Sequence, residues 1–476
     1  MNDSSKLVKN TAIYAIGDIL PRVFNLITFP VLTSSLPPSE YGIINYVATI
    51  DNFASIICLL ALSTYYLVYY FRVGDEVERR KLLGNLSIFL FGFNLIVLSF
   101  FLLIGPWLFG LWDCKVDFYP YIALGLTNVV LNIIPIMPSA LYRAMEKPLP
   151  LTILNALRGF LSMGLTVVFV LYVNKSALGV MWARTIVGAV FALIFMSITI
   201  KNSIFSFNWN QIREALKFSL PLVPGAIAYY LYSMFDRILI ERYLSLTELG
   251  LYSTAATLAL LLNVVSNGAY KAFEPYFFKT FGTDSFNYSF AKVRDILLAV
   301  TLSGGMCLAV FSKEFFKIFS SPAYATAFHY VPIIVIGAVA SAMSQMYSTV
   351  VTARNKTKIN ARITIVGAAF SIALNILLLR YIGIWAAAIV FSLAFILVLY
   401  LGMHFAKVDI THAKPIIVSV ACFVVMFLLT YLPIEVMLLS IPIKIVGVLL
   451  TCFVMFKIMK VDAKAIVLQF FKKNKK

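Results

Sequence analysis

Leu36–Ile50 reads LPPSEYGIINYVATI, and 208 positions later Leu244–Leu258 reads LSLTELGLYSTAATL. Glu40 and Gly42 fall on Glu248 and Gly250, and Thr49 falls on Thr257. A second match, at a separation of 211, sets Arg143 and Lys147 of RAMEK on Arg354 and Lys358 of RNKTK, and Tyr119 on Tyr330. Two pieces at nearly one offset indicate that the chain contains two related copies of one unit. What that unit is follows from the composition around it.

Hydrophobic residues make up 61% of the 476, charged residues only 13%, and mean hydropathy is +0.91. A soluble protein of this length needs far more polar surface. Apolar runs long enough to span a bilayer begin near Asn10, Ile43, Leu82, Val116, Leu151, Leu178, Phe218, Gly250, Asp295, Ala327, Ala361, Ile384, Pro415 and Leu439. The first carries Asp18, Pro21 and Arg22 and lacks a small-residue cleavage pattern, so it reads as a retained span. Prolines interrupt several runs, among them Pro21, Pro30, Pro135, Pro138, Pro221, Pro224, Pro275 and Pro332. In lipid such breaks are tolerated where other helices or water satisfy the freed carbonyls, which favours a bundle with a wet interior.

The repeat covers six spans, an even number, so both copies enter the membrane from one side and are parallel repeats. The expected architecture is an all-α integral membrane protein of about fourteen helices. It divides into residues 1–205, residues 206–406, and a further helix pair with a basic tail over residues 407–476. The net charge of +18 is a topology signal rather than a nucleic-acid footprint. Alternate connections, starting with the N-terminal side, carry 28 Lys and Arg against 7 on the other side. Both termini are therefore expected in the cytoplasm.

Several chemistries find no support. The five cysteines lie scattered without CxxC spacing, which argues against a disulfide framework or metal site. No P-loop GxxxxGK[ST] occurs, so direct nucleotide hydrolysis is not expected. With three histidines and no paired carboxylates, no catalytic constellation can be assembled, and no cofactor is expected. Two lobes that rock around a central cavity suit transport better than catalysis.

Ser39-Glu40-Tyr41-Gly42, Thr247-Glu248-Leu249-Gly250, and the Arg354/Lys358 loop followed by Leu374-Asn375 and Tyr381-Ile382-Gly383 carry a family likeness. The pattern resembles the polysaccharide exporters of the MATE-like (MOP) superfamily, specifically the Wzx-type O-antigen flippases. That resemblance implies movement of an oligosaccharide on undecaprenyl diphosphate from the cytoplasmic to the outer leaflet of a bacterial inner membrane. Lipopolysaccharide assembly, membrane lipid and contacts with glycan polymerase or assembly proteins are the implied setting, with no nucleic acid. The alternatives are a drug or metabolite exporter of the same superfamily, or a membrane-embedded sugar polymerase or glycosyltransferase. Drug exporters usually stop at twelve helices, and the enzymes commonly carry a large outer loop.

Charges inside spans indicate the candidate site. An ionised side chain at the bilayer centre costs about 2.5–3.5 kcal/mol on insertion scales. Arg22, Arg158 and Arg184 are the expected grip on the diphosphate, because guanidinium offers a fork of donors matched to phosphate oxygens. Asn155, Arg158, Ser162 and Thr166 recur at helical spacing and so form one polar stripe. A competing reading has Asp18 and Arg22 neutralising each other and Arg184 snorkelling outward. Asp236 and Arg237 read as an interfacial or inter-lobe pair. In the second copy the positions of Asp18, Arg22 and Arg158 are Ala226, Tyr230 and Ala369, so the first lobe alone carries the charge. Tyr229 and Tyr230 offer rings for sugar stacking, although such rings also serve as packing. Asn45 and Asn52 in the second span, and Asn263, Asn267 and Lys271 in the eighth, lie on polar faces. The resemblance places those faces on the central cavity; interhelical glue is the other reading. Asp18, Asp51 and Glu274 are candidates for proton or sodium coupling, and the membrane potential is the alternative energy source. Glu274 also lies within reach of Lys271.

Overall fold

The computed structural model of the chain describes residues 3–434 and 436–461; the side chains of residues 3–12, 14–16, 18, 19, 22, 272, 275, 276, 279, 437 and 438 lie outside the described set. Among the described residues there is no strand. The chain forms two compact units, Met1–Gly250 and Leu251–Lys476.

The first unit begins with α1 (Asp3–Ser35), which continues through Pro21 and Pro30 and ends before the Pro37-Pro38 pair. α2 (Pro38–Leu59) starts with proline in its first turn, where the missing N–H has no intrahelical partner to lose. It gives way to α3 (Leu62–Tyr70) across Leu60 and Ala61, both left-handed at φ 50° and 52°. α4 (Glu76–Leu111) follows. A helical stretch opening at Phe118 then leads into α5 (Ala123–Ile133) and α6 (Ile136–Ala144), which break at Pro135. α7 (Pro148–Val168) and α8 (Ala177–Asn202) complete six spans. Glu40 accepts a hydrogen bond from the backbone N–H of Ala177 at 2.7 Å, so a carboxylate satisfies an orphan donor at the start of α8.

The seventh span is divided into α9 (Trp209–Ser219), α10 (Val223–Met234) and α11 (Asp236–Tyr243), with a 49° bend at the last junction. It packs inside the first unit: α9 against α3, and α10 and α11 against α2. The division at residue 205 expected from the repeat therefore differs from the division by packing, because the repeat offset carries no information on which neighbour a span is buried against. Asp236 and Arg237 are buried and pair with each other at 3.2 Å at this bend.

α12 (Leu246–Ala259) begins in the first unit. The two repeat-matched glycines meet there. A Cβ on Gly42 would lie 2.1 Å from the Leu246 carbonyl oxygen, and one on Gly250 would lie 1.8 Å from that of Pro38. Only residues without a side chain permit this approach.

The second unit continues with α13 (Leu262–Thr280), α14 (Phe286–Val310), α15 (Ser312–Phe319), α16 (Val331–Ala353), α17 (Thr357–Ile382), α18 (Ile384–Ala406), α19 (Ala413–Thr430) and α20 (Met437–Met459). α16 starts at Val331 rather than near Ala327, with Pro332 in its first turn. α16 and α18 pack closely: a Cβ on Gly337 would meet the Phe391 ring at 2.7 Å, and the Gly337 N–H donates to the Ser392 hydroxyl at 3.1 Å. The units share a packing scheme: α4 lies on α5, and α5 and α7 on α8, as α14 lies on α16, and α16 and α17 on α18. The appended α19 and α20 pack on α14. Lys444 of α20 is buried and donates to Glu314 of α15 at 2.7 Å and to the Val310 carbonyl at 3.0 Å.

Among the described residues, twelve segments are long and apolar enough to cross a membrane, and the bent seventh span makes thirteen. The described apolar part of α1 is Val23–Ser35. The expected fourteen is thus an approximate count of a multi-pass integral membrane protein.

Candidate substrate cavity

The stripe on α7 lines a real hollow. A cavity of about 250 Å³ in the first unit is bounded by Asn155, Arg158, Ser162 and Thr166 of α7, by Asn25 and Thr28 of α1, and by Arg184 of α8. α1 and α7 run against each other along most of their lengths. Gly159 permits this: a Cβ there would meet the Phe24 ring at 2.7 Å. The two helices are thus drawn together beside the cavity while the polar stripe remains facing it.

Among the described residues neither Arg158 nor Arg184 has a hydrogen bond or ion pair. Two guanidinium groups thus border one hollow with no hydrogen bond or ion pair among the described residues. Arg184 is exposed and borders this hollow. The charged side chain acting on it is Asp51 of α2, with no ion-pair contact between the two. Asp51 has a carboxylate oxygen buried without a hydrogen-bond partner, beside Gly125 of α5.

The remaining expected residues divide. Side chains of Asp18 and Arg22 lie outside the described residues; Arg22 follows Pro21, which is part of the cavity wall. Asn45 and Asn52 donate to the carbonyls of Tyr41 at 2.8 Å and Ala48 at 2.7 Å on their own helix, and neither lines the cavity. This hollow is therefore bordered by the first, fifth and sixth spans, and the second does not contribute. Tyr230 is only 5% exposed, packs its ring 5.6 Å from that of Phe53, and donates to the Thr49 carbonyl. Its ring is used in packing, a correction to the expected sugar platform. Tyr229 is 54% exposed and meets Tyr232 edge-on. Asn263, Asn267, Lys271 and Glu274 belong to α13 of the second unit, with Lys271 exposed and the other three half-buried.

Sequence reading missed Asn25 and Thr28. Their spacing from Pro21, four and then three residues, is a helical stripe like that of α7.

The family model described as polysaccharide biosynthesis protein matches residues 7–281, more than half of the chain. The chain belongs to that family. The MatE model matches residues 221–377 of this polysaccharide biosynthesis protein. A Lsg locus protein of Haemophilus influenzae is 25% identical over 289 residues, covering 58% of this chain, which spans 66% of that protein's length. Among solved structures, the lipid II flippase MurJ in an inward closed conformation aligns with TM-score 0.76 at 14% identity, covering 94% of this chain and 99% of that one. An inward-facing multidrug resistance MATE family transporter aligns with TM-score 0.63 at 11% identity, covering 82% and 97%. At these identities the structural likeness shows the fold alone, the one shared by the lipid II flippase MurJ and the MATE transporters.

Proposed function

We propose that this polysaccharide biosynthesis protein flips an oligosaccharide carried on a polyprenyl diphosphate from the cytoplasmic to the outer leaflet by alternating access. The observation that carries this reading is the pair of arginines, Arg158 and Arg184, that border one polar cavity without a hydrogen bond or ion pair among the described residues. Guanidinium binds phosphate oxygens through parallel N–H donors, and in a low-dielectric site such bonds are roughly twice as strong as neutral ones. An apolar or cationic drug would gain nothing from two like charges in the wall. Asn25, Asn155, Ser162 and Thr166 supply neutral donors and acceptors of the kind a sugar hydroxyl requires. Arg22, one residue beyond the cavity-lining Pro21, is proposed as a third contact to the diphosphate. Tyr229 is retained as the exposed ring for sugar stacking, and Asp51 as the candidate coupling carboxylate.

The orientation proposed places the basic side, with both termini, in the cytoplasm of a bacterial inner membrane. The lipid-linked sugar made there and consumed by glycan assembly outside is the corresponding cargo.

The test is flipping of a fluorescent polyprenyl-diphosphate oligosaccharide in proteoliposomes. Arg158→Ala and Arg184→Ala are each expected to lower the rate by about tenfold or more, as loss of a charge-assisted contact of about 1.5–3 kcal/mol implies. Wild-type rates from both variants, at equal protein incorporation, would remove the arginines from the site, and no flipping by the wild type would remove the diphosphate-linked lipid as the cargo.

A further inference from the structure

A second hollow, of about 120 Å³, lies in the first unit where α3 ends, α4 begins and α8 ends. It is on the side of the protein where Lys and Arg are concentrated, and no part of the transport reading uses it. Its wall holds Tyr66, Tyr70, Glu76, Arg79, Arg80 and Lys201. Three cations face one carboxylate, and the Glu76 side chain is 64% exposed, 4.0 Å from Arg79. Arg79 is fixed in place: its Nε donates to the carbonyls of Tyr70 at 3.1 Å and Val73 at 2.8 Å, and its guanidinium lies 4.6 Å from the centre of the Tyr70 ring.

Two polar groups here are buried with no partner. Tyr66 is completely buried, and its hydroxyl has no hydrogen bond. Arg80 donates through Nη2 to the Lys201 carbonyl at 3.2 Å, but its Nε is buried without an acceptor. Buried donors in folded proteins nearly always have acceptors, so the two orphans and the excess of positive charge call for a ligand that brings acceptor oxygens and negative charge. Leu141 and Met145 give the hollow an apolar side as well.

We infer that Tyr66, Arg79, Arg80 and Lys201 form a phosphate site at the inner ends of these helices, separate from the transport cavity. The level of the span ends is where phospholipid headgroups lie, and basic hollows at that level suit anionic lipid. A phosphate group is the shared chemistry; a phospholipid headgroup and free inorganic phosphate are its two sources.

Binding of dihexanoyl phosphatidylglycerol and of inorganic phosphate to the detergent-purified full chain tests this. The lipid is expected to bind saturably, and Arg80→Gln to weaken it by about tenfold. Tyr66→Phe is expected to weaken binding while leaving the unliganded protein at least as heat-stable as wild type, because it removes a buried hydroxyl that has no partner. A purely structural tyrosine would show the reverse pattern. Arg158→Ala is expected to bind the probe as wild type does. Phosphate that binds as tightly as the lipid identifies free phosphate as the source. Saturable binding of neither probe, undiminished binding in both Arg80→Gln and Tyr66→Phe, or loss of binding in Arg158→Ala overturns the site.

Discussion

A guanidinium group costs more to bury than any single hydrogen bond returns, so Arg158 and Arg184 can face a common hollow only where water or an anion meets them. Arg158 was legible in the sequence because helical spacing alone puts it on a face with Asn155, Ser162 and Thr166. Arg184 joins it through the packing of α7 on α8, which no local pattern encodes. Tyr230 was misread for a related reason: a ring inside a span looks the same from sequence whether it faces a cavity or, as here, Phe53. A residue outside the spans provides a pH test. His412, in the connection before α19, has Nδ1 within 3.3 Å of Arg294 and 3.2 Å of the Tyr347 hydroxyl. Arg294 is in turn paired with Asp295 at 2.7 Å. Burial, and then the Arg294 charge, hold the imidazole below its usual value of 6.5. The native protein therefore keeps His412 neutral while the unfolded chain protonates it near 6.5. Stability from this group is complete above that value and falls as the pH drops below it. Thermal unfolding between pH 7.5 and 5.5 is expected to show a larger loss for wild type than for His412→Gln.

Helices α15 and α20 are joined by one buried ion pair. Lys444 reaches Glu314, which also accepts from Ser440 at 2.9 Å, and the second Glu314 carboxylate oxygen is buried without a partner. The pair is not legible in the sequence, because its separation along the chain, 130 residues, carries no periodic signal. Removing one member of such a pair leaves the other charged and buried, which costs about 3–5 kcal/mol, whereas replacing both with apolar residues is often neutral. Lys444→Met is accordingly expected to loosen α20 from α15 and to lower the unfolding midpoint in detergent. The double variant Lys444→Met, Glu314→Leu is expected to recover most of that loss. Equal midpoints for the wild type and Lys444→Met would show that the pair contributes nothing to docking the appended helices. The glycines of the two matched motifs were found in the sequence, but their function was not. Gly42 and Gly250 are where the starts of α2 and α12 approach backbone to backbone, a steric requirement visible only once the helices are placed.

For the molecule as a whole, class and span pattern were legible because lipid imposes a length and an apolarity on every crossing segment, whatever the fold. The sequence count of 28 cations in alternate connections against 7 in the others bears on energy supply. If the basic side faces the cytoplasm, the proposed cargo leaves a negative compartment. A membrane potential of 100 mV then favours outward movement by about 2.3 kcal/mol per negative charge, or about 4.6 kcal/mol for a diphosphate carrying two. If the proposed cargo crosses the field while Arg158 and Arg184 stay near their own depth, the empty carrier returns little charge. In proteoliposomes with a valinomycin-set potassium potential, negative inside, the labelled lipid is expected to redistribute towards the outer leaflet. At about 1.4 kcal/mol per factor of ten, the full driving force corresponds to about three orders of magnitude in the leaflet ratio. Collapsing the potential should return the ratio to near unity, in wild type and in Asp51→Asn alike. A ratio that ignores the potential but follows a pH gradient, and loses that response in Asp51→Asn, would instead assign the driving force to a proton carried on the Asp51 carboxylate.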